Sequence, residues 1–139
     1  MQKPFLSILL TAIFISICAV AFAESPEADL DLAMLSGNLL TDRITEIRDD
    51  PAAYAGKTVR IRGQYYASSA DAEVQRSLIV VCTTSSCVEV GLRLAPAEDT
   101  ELAWPDINRE IEVLGTLETY ETAFGTLGIQ VAVHSLLPL

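Results

Sequence analysis

At Gly56 the hydrophobic period of this chain changes, and the change limits the folds it can adopt. Beyond that point, apolar residues recur at every second position, which is the spacing of a strand with one buried face. The alternation is present in "GKTVRIRGQYY", "CVEVGLRL", "REIEVLGTLETY" and "TLGIQVAV", while "SLIVVC" is a more continuous apolar run. The pattern predicts five strands. The residues expected to face the core are Val59, Ile61, Tyr65, Val88, Val90, Leu92, Leu94, Ile111, Val113, Leu117, Leu127, Ile129, Val131 and Val133.

Gly63 and Gly115 fall on the core-facing side of the first and fourth predicted strands. A missing side chain permits a sharp bend, and two such points predict two corners at which the sheet curls to close. The long stretch "APAEDTELAWPDIN" between the third and fourth strands is expected to form a short helix or a plug. Trp104 is interpreted as its apolar stopper, because large aromatic side chains contribute mainly through the area they bury. The sequence therefore predicts a mainly β, five-stranded barrel of the OB-fold type.

A short amphipathic helix is expected ahead of the strands. Leu40, Ile44 and Ile47 recur at helical spacing within residues 39–50, Thr41 is a candidate cap, and Pro51 follows. Residues 24–38 begin with an acidic stretch that contains a proline and lacks periodicity, so they are interpreted as a flexible lead-in. The OB-type domain is accordingly expected to span residues 39–139.

The first 23 residues have the layout of an export signal. Lys3 precedes an apolar run over residues 5–20, and Ala21 and Ala23 occupy the two positions that a signal peptidase inspects. The run is shorter than the roughly 20 residues that a membrane span needs. We therefore expect cleavage after Ala23 and a periplasmic or secreted protein, which contacts the membrane only before cleavage. An uncleaved anchor is the alternative.

The charge of the chain argues against nucleic acid as a partner. Its 19 Asp and Glu residues outnumber its nine Lys and Arg residues, which gives a net charge of −10. Such a surface repels phosphate backbones. The chain also lacks the Gly-x-Ser-x-Gly, phosphate-loop and His-Glu-x-x-His motifs of common enzyme classes. We therefore expect a non-enzymatic protein without a cofactor, whose partner is an envelope protein, a peptide or a small polar ligand.

The order of "PAAYAGKTVRIRGQYY", "SLIVVCTTSSCVEVGLRL" and "WPDINREIEVLGTLE" resembles a known family. It is similar to the C-terminal OB-like domain of uncharacterised bacterial envelope proteins that are encoded beside putative permeases. The similarity covers about residues 50–118 and implies the OB-type fold. The family tends to show adjacent cysteines followed by an aspartate, whereas here four residues separate Cys82 from Cys87 and Glu89 is the nearest acid. The most telling pieces are Gly56-Lys57, Gly91-Leu92 and Gly115-Thr116.

Cys82 and Cys87 are expected to lie opposite one another in a hairpin with a four-residue turn. Facing side chains of an antiparallel pair approach to about 4.5–5.5 Å, close to what a disulfide needs. An exported location favours oxidation, so we expect a structural disulfide worth about 2 kcal/mol. A redox switch and a metal site are alternatives, although a metal needs two further ligands and His134 is the single histidine. The corresponding alternative function is a redox-active or metal-handling accessory of a transporter.

Several polar side chains are expected to form a binding surface on the outer face of the barrel. Arginines with a tyrosine can bind a carboxylate, a sugar or an acidic peptide, and OB-folds commonly bind with the face of their second and third strands. The alternative is that Arg60 and Arg62 pair with Glu110 and Glu112 across strands. The sequence thus predicts an exported, non-catalytic OB-fold binding or assembly module of the bacterial cell envelope. The candidate binding residues are Arg60, Arg62, Gln64, Tyr66 and Arg93.

Overall fold

Six strands of the described part of the chain form one mixed sheet, and two helices from the same part precede most of it. The computed structural model describes residues 27–70, 73–80 and 90–139. The mainly β class predicted from the sequence is confirmed. The elements are β1 (Leu30–Asp31), α1 (Gly37–Asp49), α2 (Pro51–Tyr54), β2 (Thr58–Ala70), β3 (Glu73–Val80), β4 (Val90–Pro96), β5 (Glu110–Glu121) and β6 (Leu127–Pro138).

Five of the strands pair in a circuit. β2 pairs with β3, β3 with β4, β4 with β6, β6 with β5, and β5 with β2 again. The β4–β6 pair is parallel and the other four are antiparallel. β2 has two long partners because Thr58 to Gln64 are matched with β5, and Gln64 to Ala70 with β3. Gly63 lies next to this change of partner.

The residues predicted to face the core are largely buried. Ile61, Ile111, Val113, Val131 and Val133 have no exposed surface. The prediction is wrong for Leu127, whose surface is 54% exposed, because it begins β6 opposite Glu121, beyond the end of the core. Val88 lies outside the described residues. Val90 is half-buried at the start of β4.

Helix α1 covers Gly37–Asp49, close to the predicted range, and presents one apolar face to the sheet. Leu40, Ile44 and Ile47 are buried on that face, and the helix contacts β4 and β6. The prediction of Thr41 as a cap is wrong, because the helix begins four residues earlier and the Thr41 hydroxyl donates to the Asn38 carbonyl at 3.0 Å. Within the described part of the chain, no helix has the length and apolarity to cross a membrane.

The sheet has one strand more than the five predicted, and this strand is β1. It lies within the segment predicted as a lead-in and runs parallel to the start of β2. The Asp29 carboxylate accepts hydrogen bonds from the Thr58 amide at 2.9 Å and from the Thr58 hydroxyl at 3.1 Å. The bond from the Thr58 amide has the largest effect on the pKa of Asp29. Together with the bond from the hydroxyl, it holds this pKa below its ordinary value. Leu32, directly after β1, is 3% exposed and belongs to the core.

The segment between β4 and β5 forms two turns and otherwise irregular backbone, without the short helix that was one of its two predicted forms. Trp104, in its middle, packs against the core. The indole stacks on Tyr65, with ring centroids 5.8 Å apart, and the Arg76 guanidinium lies 4.7 Å from its ring centroid. This packing agrees with the interpretation of Trp104 as an apolar stopper.

Candidate functional site

The two arginines predicted on β2 form ion pairs across the sheet. Arg62 Nε lies 2.7 Å from one carboxylate oxygen of Glu112, and Arg60 Nε lies 3.6 Å from the other. Arg60 also lies 3.4 Å from the Asp31 carboxylate. The alternative interpretation also expected an ion pair with Glu110. That part is wrong, because the register places Glu110 opposite Gln64. Both arginines are therefore engaged by acids of the protein itself.

We expect the Glu112 ion pairs to contribute little to stability. The Glu112 and Arg62 side chains are 20% and 46% exposed, so solvent screens their attraction. In a double-mutant cycle of Arg62→Gln and Glu112→Gln, the coupling energy should be about 0.5–1 kcal/mol, measured by urea unfolding. The more exposed Arg43–Glu46 pair on α1 is the matched control. A coupling above about 2 kcal/mol at Glu112 contradicts this interpretation, since only a desolvated pair reaches that value.

Tyr66 and Arg93 lie on one row of another part of the outer face, with Ser77 between them. The ladders place Tyr66 opposite Ser77, Ser77 opposite Arg93, and Arg93 opposite Gln130. Tyr66 is 44% exposed. Since neighbouring strands lie about 4.8 Å apart, these residues form one continuous row across β2, β3, β4 and β6. The predicted binding residues are thus divided between this row and the Glu112 ion pairs, with Gln64 at the boundary.

Arg93 is held over an aromatic ring. Its guanidinium carbon lies 4.8 Å from the centroid of the Tyr120 ring, within the range of a cation–π contact. Tyr120 lies opposite Gly128 in the β5–β6 ladder, and its ring fills the space above that glycine. A Cβ at position 128 would lie 2.7 Å from Tyr120 Cζ. Gly128 therefore makes room for the ring that positions Arg93, the arrangement in which an aromatic side chain covers a strand glycine.

No carboxylate of the described residues pairs with Arg93. Glu118 lies on the same row one strand beyond Gln130, and the Gln130 amide donates to its carboxylate at 2.6 Å. Gln130 therefore lies between Glu118 and Arg93 and is hydrogen-bonded to Glu118. Among the described residues, the contact recorded for the Arg93 guanidinium is with the face of the Tyr120 ring.

Arg93 lines a groove of about 360 Å³ between α1 and the outer face of β3 and β4. Arg48, from the last turn of α1, enters the same groove, and no described carboxylate pairs with it either. The lining residues are Arg48, Ser77, Ile79, Val90, Gly91 and Arg93. Sequence reasoning missed Arg48, Ser77 and the Tyr120–Gly128 pair, although a tyrosine and a glycine on either side of the short connection between the last two predicted strands were a usable signal.

A second groove, of about 440 Å³, opens near the start of α1. Two of the predicted residues, Arg62 and Gln64, line it together with Glu110 and apolar side chains such as Leu40 and Val80. Arg62 is already paired with Glu112, so a ligand there would compete with that carboxylate. The groove between α1 and the β3–β4 face is consequently the better candidate for a site.

The predicted disulfide cysteines, Cys82 and Cys87, lie outside the described residues. His134 is exposed, and its Nε2 forms a 2.7 Å hydrogen bond with the Thr116 hydroxyl. Among the residues that the structure describes, no three His, Cys, Asp or Glu side chains are grouped as metal ligands. The disulfide, redox and metal alternatives at the hairpin therefore stay predictions.

The side chains of the candidate groove are suited to binding a ligand. Its polar groups are two guanidinium ions and one hydroxyl, which can donate hydrogen bonds to a polar or anionic ligand. Among the described residues that line it, there is neither a carboxylate nor a histidine. Comparison of the chain with protein families, curated proteins and solved structures finds no match, so the resemblance to the permease-associated envelope proteins stays a prediction.

Proposed function

We propose that this protein is an exported, non-catalytic binding or assembly module of the bacterial cell envelope, built on an OB-type barrel. The pairing circuit β2-β3-β4-β6-β5 with return to β2 supports the barrel, since an OB-fold is a five-stranded Greek-key sheet curled on itself. In this scheme β1 is an addition outside the barrel, and α1 packs over β4 and β6. The layout of residues 1–23 supports export.

A single observation carries the binding role: Arg93 and Arg48 share one groove, and neither has an acidic partner among the described residues. In a chain of net charge −10, arginines have abundant carboxylates with which to pair, as Arg60 and Arg62 do. The groove lies on β3 and β4, which are strands two and three of the proposed barrel. That face is where OB-folds commonly hold their ligands.

The test begins with the full chain expressed in a bacterial host and recovered from the periplasmic fraction. We expect a mass that lacks the first 23 residues. The purified protein is then titrated with succinate, glycerol 3-phosphate, a neutral disaccharide and an acidic hexapeptide, and its amide NMR signals are followed. Saturable shifts confined to β3, β4 and the last turn of α1 support the proposal. Retention in the cytoplasm at full mass contradicts export, and the absence of shifts with every probe contradicts the binding role.

A further inference from the structure

We propose that the groove between Arg48 and Arg93 binds a small, doubly charged oxyanion, either a dicarboxylate or a phosphate monoester. This inference rests on the proposed binding function and specifies its ligand. The described Lys and Arg side chains differ in whether they form an ion pair. Ion pairs with described carboxylates engage Arg43, Arg60 and Arg62.

The remaining described cations differ in their surroundings. Lys57 and Arg76 lie over the rings of Tyr54 and Trp104, and Arg109 precedes β5 on the surface. Arg48 and Arg93 differ from these because they line a common groove with the Ser77 hydroxyl. Two guanidinium groups and a hydroxyl that line one groove can donate to the oxygens of a dianion, to which arginine donates in a forked geometry.

The Arg93 side chain of the groove is held in place before a ligand binds. Tyr120 supports Arg93 from below, and Gly128 leaves the space that the Tyr120 ring fills. Gln130, which lies between Arg93 and Glu118 on the row, donates a hydrogen bond to the Glu118 carboxylate. An arginine fixed in this way loses less conformational freedom on binding than a free surface arginine does, and no ion pair with a described residue has to be broken.

Size and charge favour a small ligand over a polymer. A groove of about 360 Å³ is at the lower end of the volumes of small-molecule sites, which begin near about 300 Å³. The acidic residues elsewhere on the protein repel an extended polyanion along its whole length. A small dianion responds mainly to Arg48 and Arg93, because salt screens charges beyond about 8 Å at physiological ionic strength. The apolar lining from Ile79 and Val90 suits a short carbon skeleton.

Calorimetric titration of the mature protein with succinate and with glycerol 3-phosphate tests the inference, and propionate serves as the singly charged control. We expect at least one dianion to bind saturably, and propionate to bind at least about tenfold more weakly. Arg48→Gln and Arg93→Gln should each weaken binding by about tenfold or more. Arg109→Gln, which removes the same charge from another place on the surface, should change it by less than about twofold. Comparison of the two dianions distinguishes a carboxylate ligand from a phosphate ester.

Two further variants test the positioning of Arg93 while both arginines remain. Tyr120→Leu removes the ring, and Gly128→Ala pushes it aside, so each should weaken dianion binding by about threefold or more. Thermal melting checks that both variants are folded. The inference is overturned if neither dianion binds, or if Arg48→Gln and Arg93→Gln bind as the wild type does. If the disaccharide or the peptide shifts the β3–β4 signals and the dianions do not, the inference fails while the proposed binding function stands.

Discussion

Replacing Gly115 with alanine should lower the free energy of unfolding by about 3 kcal/mol, the upper end of what overpacking usually costs. A Cβ at this position would meet the carbonyl oxygen of Ala132 and lie 2.5 Å from Cγ1 of Val131. The carbonyl belongs to the β6 backbone and cannot rotate away as a side-chain end can. The β5–β6 register also shifts between Leu114 and Gly115, so the substitution acts on the bulge that bends β5.

Urea unfolding followed by the fluorescence of Trp104 measures this change. Gly91→Ala is the matched control, because a Cβ there would lie 3.3 Å from the nearest atom, the Leu78 carbonyl oxygen. We expect the control to cost less than about 1 kcal/mol. Equal unfolding energies for the two variants would show that the close approach of β6 to Gly115 is not needed for the fold.

Replacing Ile44 with alanine should lower the free energy of unfolding by about 3 kcal/mol, as expected for removing a fully buried branched side chain. Ile44 has no exposed surface and lies at the centre of the α1 face that packs on the sheet. The cost has two parts, the lost burial of the removed carbons and the cavity they leave. A change of this size indicates that α1 is part of the folded core rather than an appended segment.

Leu39→Ala provides the comparison within the same helix. Leu39 is 66% exposed, and alanine has the higher helix propensity, so this variant should unfold within about 0.5 kcal/mol of the wild type. Circular dichroism during urea unfolding gives both values. A loss at Ile44 as small as that at Leu39 would contradict the packing of α1 against the sheet.

Much of the fold was predictable because burial on one face leaves a periodic record in the sequence. Val59 and Ile61 on β2, like Ile111 and Val113 on β5, are apolar at every second position and are fully buried. β1 was missed because a two-residue strand has no period, and the bonds between Asp29 and Thr58 that accompany it form only in the folded chain. Leu127 was wrongly expected to face the core, because the alternation of apolar residues in β6 continues beyond the end of the core.

The candidate site was predictable only where it follows from strand order. The pairing of Arg60 and Arg62 with Glu112 follows once the first and fourth predicted strands are neighbours. Arg48 was not identified from the sequence, since its place in the same groove as Arg93 depends on how α1 packs on β4. The support of Arg93 by Tyr120 depends on register across two ladders, which a single sequence does not specify.

The pairing circuit also affects how the chain folds. Arg62 and Glu112 are 50 residues apart, yet they are direct partners in the β2–β5 ladder. Contacts between such distant parts of a chain slow folding, and unpaired strand edges promote aggregation in the meantime. A chain that crosses a membrane from its amino end leaves the first half of β2 without its β5 partner until β5 follows. If the protein is exported as we propose, the unpaired half of β2 is a strand edge open to other chains during translocation.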